Sequence, residues 1–125
     1  MIHFPRGEQP AKGWFVGPWN SGVPAAVGYA VAGIDEPHFH ARMFELYLVA
    51  RGRATALVEG QRLILEAGSV LVVEPGEVHT FLDSSPDYYH FVVQTPVVAG
   101  DKHAAPGTPA ADRPLDRSVD SRQAV

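Results

Sequence analysis

The feature that most constrains the fold is a series of short runs rich in β-branched and aromatic residues, each closed by a turn signal. Glycine-containing turns recur at Gly52, Gly60 and Gly68, about every eight residues. No segment before the C-terminal tail keeps the apolar spacing of a helix for two turns. The pattern therefore predicts an all-β protein, either a sandwich or a barrel. The predicted strands are Val27–Val31, Phe44–Val49, Ala54–Val58, Arg62–Leu65, Val70–Val73 and Tyr88–Gln94.

Composition divides the 125 residues into three zones. Residues 1–24 are rich in Gly, Pro and aromatic residues without a sustained period, and we predict an N-terminal arm. Residues 25–98 contain nearly all of the strand formers and are predicted to be the single domain. The whole chain is long enough to bury the surface needed for one core. Residues 99–125 lack the apolar density to fold alone, so we expect a flexible tail or a docking arm.

Charge and hydropathy exclude several classes of protein. Ten Lys plus Arg stand against fourteen Asp plus Glu, which gives a formal charge of −4, and the basic residues do not cluster. A surface for nucleic acid or for anionic lipid is therefore not expected. The apolar stretches are shorter than the roughly 18 residues of a spanning helix, and the first residues show no signal-peptide pattern. We expect a soluble cytoplasmic protein with neither a nucleic-acid nor a membrane partner.

The strand Phe44–Val49 is apolar on both faces. Alternation places Glu45, Tyr47 and Val49 on one face and large hydrophobic residues at 44, 46 and 48 on the other. If Glu45 points into a barrel, the outer hydrophobic patch needs a cover, such as an arm, a second sheet or another subunit. We predict a homodimer, with the N-terminal segment or the tail contributing to the cover.

The residues with the clearest chemistry are three histidines and one glutamate. His38 and His40 are two residues apart, so both imidazoles leave the same face of an extended chain and can converge. Glu45 has the opposite parity and joins them only if a turn or bulge at residues 41–43 resets the face. His79 follows a Pro-Gly turn, and long-range strand pairing could bring it opposite the pair. Three imidazoles and one carboxylate suit a first-row divalent ion with an open position for water or substrate.

These residues, together with their glycines, resemble the two sequence motifs of the cupins. The first motif, glycine, spacer, His-x-His, Glu and glycine, is matched by Gly33, His38, His40, Glu45 and Gly52. The second motif, glycine, Pro-x-Gly, His and Asn, is matched by Gly68, Gly76 and His79. Three departures are a short spacer before His38, Pro75 one place late, and Asp83 where Asn is usual. Asp83 cannot donate a hydrogen bond when ionised, which affects the expected surroundings of His79.

The resemblance implies a double-stranded β-helix, the jelly-roll barrel of the cupins. It also implies that His38, His40, Glu45 and His79 bind a divalent transition metal, one of Fe, Mn, Ni, Co or Zn. Taken singly, each histidine has the alternative of a hydrogen-bonded strand residue, and the glutamate has the alternative of a solvated side chain. For the set as a whole, the alternative is a cupin barrel that uses no metal. The run around His79 is most similar to small cupins that resemble the C-terminal barrel of phosphomannose isomerases, a likeness that does not itself establish sugar chemistry.

Further residues are expected near this centre. Tyr47 and Phe81 share parity with Glu45 and His79, so both are predicted to line the pocket. Glu45, Tyr47 and His90 are the candidate catalytic residues, with Tyr47 or His90 as the acid/base group. The alternative for His90 is a strand histidine whose hydrogen bonds are satisfied within the fold.

Two reactions fit a small-molecule substrate bound to such a metal through adjacent oxygens. One is cleavage by a dioxygenase, which we place first, and the other is isomerase chemistry through an enediolate. The alternative from another class is a non-catalytic cupin that binds a small molecule. A sugar-sensing half of a transcription factor is disfavoured because the sequence has no helix-turn-helix segment.

Overall fold

The computed structural model describes residues 1–32 and 36–106, and the regular elements in that part of the chain are all strands. They form two antiparallel five-stranded sheets with the orders β1-β2-β9-β4-β7 and β10-β3-β8-β5-β6. The predicted all-β, double-stranded β-helix is confirmed. Within the described residues, no helix has the length and hydrophobicity needed to cross a membrane. The strands are β1 Lys12–Val16, β2 Ala26–Ala30, β3 His38–Phe39, β4 Phe44–Arg51, β5 Arg53–Val58, β6 Gln61–Glu66, β7 Val70–Val73, β8 His79–Ser84, β9 Tyr89–Thr95 and β10 His103–Ala104.

The hydrophobic core lies between the two sheets. Tyr47 and Val92 come from the first sheet, and Ala56 and Phe81 come from the second. Burial alternates along β4 as the sequence predicts, since every second side chain from Glu45 to Val49 is buried. The carboxylate of Glu45 therefore enters the barrel along with the apolar core.

All six predicted strands form, with ends that differ by at most two residues. The strands that the sequence analysis missed are β1, β3, β8 and β10. β8 was missed because Asp83 and Ser84 interrupt its apolar pattern, and β1 because it lies in a segment rich in glycine and proline. β3 and β10 contain only two residues each, too few to show a period.

The described parts of both terminal zones pair with the barrel of the same chain. β1 lies within the predicted N-terminal arm, residues 1–24, and pairs with β2 at the edge of the first sheet. β10 lies within residues 99–125 and pairs with β3 at the edge of the second sheet. Residues 107–125 of the predicted tail and Gly33 of the first motif lie outside the described residues.

The turn between β4 and β5 requires glycine for two reasons. The φ angle of Gly52 is +73°, which is unfavourable for residues with a Cβ. A Cβ atom here would lie 2.4 Å from Ser85 Oγ and 2.8 Å from Tyr88 Cα. The Tyr88 backbone has little room to move, because that residue is fully buried.

We expect Gly52→Ala to lower the free energy of unfolding by about 2–4 kcal/mol, the sum of backbone strain and steric clash. Urea unfolding measures this loss. Gly60→Ala is the matched control, because Gly60 has a φ of +80° but a Cβ added there would meet no atom within 4 Å. The control should lose only about 1 kcal/mol, and equal losses in the two variants would contradict the clash.

Candidate metal centre

The structure brings the four predicted ligands to one point inside the barrel. His38, His40, Glu45 and His79 are all buried, and each offers a ligand atom within 4.8 Å of the others. His38 of β3 pairs directly with His79 of β8. The chain then bends at residues 41–43 and enters the other sheet as β4. This bend is the predicted change of face that lets Glu45 join the histidines.

The three imidazoles are held in the same way. His38, His40 and His79 each place Nδ1 next to a backbone carbonyl oxygen, at 2.8, 2.8 and 2.9 Å. A carbonyl only accepts hydrogen bonds, so Nδ1 carries the proton and donates it. In the neutral ring, Nε2 then keeps the lone pair that a metal needs. The three carbonyls belong to Glu36, Asp101 and Glu77.

The carboxylate of Glu45 contacts polar groups from four neighbouring side chains. Its Oε1 lies 2.8 Å from His79 Nε2 and 3.1 Å from His40 Nε2. The Tyr47 hydroxyl donates to Oε1 at 2.8 Å, and the Gln94 amide donates to Oε2 at 2.7 Å. Glu45 is therefore fixed by its neighbours in one rotamer.

The donor atoms fit a metal ion. Two ligands at right angles, each about 2.1 Å from a shared ion, are about 3 Å apart, close to both Glu45–histidine separations. His40 Nε2 is buried and has no hydrogen-bond partner among the described residues, because its 3.1 Å approach to Glu45 lacks hydrogen-bond alignment. A buried nitrogen of this kind is costly unless something binds it. An ion held by the four residues would satisfy it.

The pKa shifts of Glu45 and His38 favour a bound cation. Burial alone would raise the pKa of Glu45, but the adjacent His40 and His79 lower it well below its usual range. Burial and then the nearby His79 lower the pKa of His38 to about 4. The metal-free centre thus contains an ionised carboxylate and a neutral His38 at neutral pH. Metal binding requires both of these states.

Comparison with known proteins decides the family. The family model for the cupin domain matches residues 26–93, more than half of the chain. The chain belongs to the cupin family. None of the curated protein sequences compared with it matches.

Solved cupin structures share the fold of this cupin. A cupin-like protein from Thermotoga maritima is 23% identical, with a TM-score of 0.63 over 75% of this chain and 74% of that one. The Streptomyces nucleoside dehydratase PAC13 is 15% identical, with a TM-score of 0.61 over 76% of this chain and 85% of that one. KdgF from Halomonas sp. is 18% identical, with a TM-score of 0.59 over 77% and 88%.

Tyr47, Phe81 and His90 form an aromatic cluster beside the centre of this cupin. The Tyr47 ring lies 5.2 Å from the Phe81 ring and 5.0 Å from the His90 ring, centroid to centroid. His90 Nδ1 lies 2.6 Å from the Tyr88 hydroxyl. Burial lowers the pKa of His90 to about 4, so its ring is neutral and shares one hydrogen bond with the Tyr88 hydroxyl through Nδ1. His90 is thus hydrogen-bonded within the fold, which agrees with the alternative given for it in the sequence analysis. It also contacts the candidate acid/base residue Tyr47.

Two residues at the site were missed by the sequence analysis, and one expected neighbour is elsewhere. Gln94 lies on the same inward face of β9 as His90. A polar residue at an inward position is a sequence signal that could have identified it. Asp101 lies in the zone assigned to the tail, where composition gave no signal. Asp83 is exposed, and the Nδ1 of His79 is instead satisfied by the Glu77 carbonyl.

We expect the metal-free protein to lose stability as pH falls from about 6.5 to about 4. His38 and His90 both have a pKa of about 4 in the fold, so below the unfolded value of about 6.5 only the unfolded chain takes up their protons. Each group then lowers the free energy of unfolding by up to about 1.4 kcal/mol per pH unit. The stabilisation that comes from the raised pKa of His40 is already complete below about pH 6.5. The lowered pKa of Glu45 changes the free energy of unfolding only below about pH 4.3.

Urea unfolding at several pH values between 6.5 and 4 measures this slope. His90→Gln should remove about half of it, because one of the two buried neutral histidines is lost. His3→Gln, at an exposed position, is the control and should leave the slope unchanged. An unchanged slope in His90→Gln would show that His90 takes up its proton without unfolding.

Proposed function

We propose that this cupin is a metal-dependent enzyme acting on a small molecule that presents two adjacent oxygen atoms to the centre. His38, His40, Glu45 and His79 would hold one divalent transition metal. The observation that carries the proposal is the buried Nε2 of His40, which lies 3.1 Å from the Glu45 carboxylate and forms no hydrogen bond with any described residue. The ion, when bound, would supply a Lewis acid that polarises a substrate carbonyl.

The residues around the ligands support proton transfer as the reaction class. The Tyr47 hydroxyl lies 2.8 Å from Glu45 and so places a proton donor beside the centre. Its ring packs against both Phe81 and His90, which fixes its direction and keeps water away. A positioned acid/base group is what an isomerase needs in order to move a proton between neighbouring carbons. The relative PAC13 is a nucleoside dehydratase, and loss of water also requires proton transfer.

The test begins with the metal content of protein purified without a histidine tag. Hydroxy-ketones and 1,2-dioxo compounds are then offered in D₂O, with deuterium incorporation followed by NMR and dioxygen uptake followed in parallel. We expect metal-dependent deuterium incorporation next to the carbonyl without dioxygen uptake. Dioxygen uptake would contradict proton transfer and favour the oxygenase, whereas tight binding without any turnover would favour the non-catalytic alternative.

We also propose that the outer face of the first sheet is a homodimer interface. Leu48 on β4 pairs with Phe91 of β9 on one side and Val70 of β7 on the other. All three are exposed, by 37%, 38% and 59%, and Val72 extends the same face along β7. A continuous, nearly uncharged sheet face of this kind is self-complementary, so a second copy of the chain is its natural partner.

Sedimentation velocity tests the dimer. We expect the unmodified protein to sediment as a dimer at micromolar concentration and Leu48→Lys as a monomer. Ile64→Lys is the control, because Ile64 is 57% exposed but lies on β6 of the other sheet. A monomeric unmodified protein, or equal behaviour of the two variants, would overturn the proposed interface.

A further inference from the structure

Asp101 lies in the connection between β9 and β10 and is only 4% exposed. Its carboxylate accepts three consecutive backbone N–H bonds, from Ala41 at 2.9 Å, Arg42 at 2.8 Å and Met43 at 3.1 Å. A carboxylate buried to this degree costs free energy unless several donors surround it. The three backbone donors, together with His103 Nε2 at 3.1 Å from the same carboxylate, supply that compensation. The backbone donors tie Asp101 to one specific bend of the chain.

This bend is the one that brings Glu45 to the histidines. It joins β3, which carries His38, to β4, which carries Glu45, and it changes the face on which side chains point. Within the described part of the chain, none of the three N–H groups belongs to a strand pair, so without Asp101 they would lose these partners. The shape of the bend therefore depends on a residue about sixty positions later in the chain.

The same residue also fixes one of the candidate ligands directly. The backbone carbonyl of Asp101 accepts the hydrogen bond from His40 Nδ1 at 2.8 Å. That bond sets the tautomer of His40 and turns its unpartnered Nε2 toward Glu45. Two neighbouring contacts hold the segment in place, since β10 pairs with β3 and the Ala105 N–H donates to the Pro37 carbonyl at 3.0 Å.

We propose that Asp101 is a positioning residue of the metal centre, which sets the affinity for metal by holding the 41–43 bend and the His40 ring together. The connection between β9 and β10 is thereby part of the site. The proposal rests on the proposed function for its metal-affinity readout, but the positioning itself can be measured without metal.

Titration of the metal-free protein with Co²⁺, followed by its ligand-field absorption, is the first measurement. Asp101→Asn keeps one acceptor oxygen and the backbone carbonyl, and should weaken Co²⁺ binding about 10-fold. Asp101→Ala keeps only the carbonyl and should weaken it about 100-fold, with an altered absorption spectrum. Asp83→Asn controls for the change of charge, and Gly52→Ala controls for lost stability away from the centre. Both controls should bind Co²⁺ as the unmodified protein does.

The second measurement uses the metal-free protein. In Asp101→Ala, the amides of Ala41, Arg42 and Met43 should exchange with solvent at least 10-fold faster, about the effect of losing one buried hydrogen bond each. The ¹⁵N shifts of the His40 ring should show a mixture of tautomers. Unchanged exchange, or unchanged Co²⁺ affinity in folded Asp101→Ala, would overturn the positioning role. If the unmodified protein binds no Co²⁺, the proposed function fails, and the exchange measurement alone decides the role of Asp101.

Discussion

Glu45→Gln is expected to abolish turnover and to weaken metal binding by at least about 100-fold, while the barrel stays folded. Glu45 is the only carboxylate among the four candidate ligands in the described cluster, and its Oε1 faces the Nε2 atoms of both His40 and His79. Glutamine has nearly the same size and can still accept from Tyr47. It removes the negative charge that compensates the charge of a divalent ion.

Isothermal titration with Zn²⁺ or Co²⁺, together with circular dichroism of the same samples, measures these effects separately. Glu66→Gln is the matched control, because Glu66 is exposed and its carboxylate pairs with the exposed Arg53. The control should bind metal and turn over substrate normally. Full metal affinity in folded Glu45→Gln would remove Glu45 from the ligand set.

Tyr47→Phe is expected to lower kcat about 10²–10⁴-fold with little change in metal affinity or in KM. The substitution deletes only the hydroxyl that lies 2.8 Å from Glu45. The ring contacts with Phe81 and His90, which hold the side chain in place, stay available. A selective loss of kcat therefore reports proton transfer rather than loss of structure.

Steady-state kinetics on the substrate found in the deuterium screen, with metal content measured in each preparation, is the required measurement. Tyr29→Phe serves as the control, because the Tyr29 hydroxyl donates to the Pro10 carbonyl, away from the centre. Normal kcat in Tyr47→Phe would exclude Tyr47 as the acid/base residue. A parallel loss of bound metal would instead assign its hydroxyl to holding Glu45 in place.

The part of the site that sequence predicts is the part encoded by short-range spacing. The two-residue interval of His38 and His40 places both rings on one side, and the opposite parity of Glu45 requires the bend that the structure shows. The alternation along β4 likewise predicts which side chains enter the barrel. His79 is placed by its motif, and its pairing with His38 is the long-range contact that completes the cluster.

The rest of the site depends on backbone groups and on contacts between distant segments. The carbonyls that orient the three histidine rings belong to residues whose identity is not constrained by that role, so no residue type signals them. Gln94 reaches Glu45 only because β9 pairs with β4 in one register. Asp101 reaches the 41–43 bend from a zone whose composition predicts a tail. Contacts of this kind are fixed by the tertiary fold and have no local pattern.

The bound metal and its ligands decide whether the four residues form a metal centre. X-ray absorption spectroscopy at the metal edge, on protein purified without a histidine tag and dialysed against each divalent ion in turn, reports both occupancy and ligand type. We predict one tightly bound transition metal per chain, with three imidazole nitrogens and one carboxylate oxygen in its coordination sphere. A protein that retains no metal, or that binds it without multiple-scattering features of imidazole, would contradict the account.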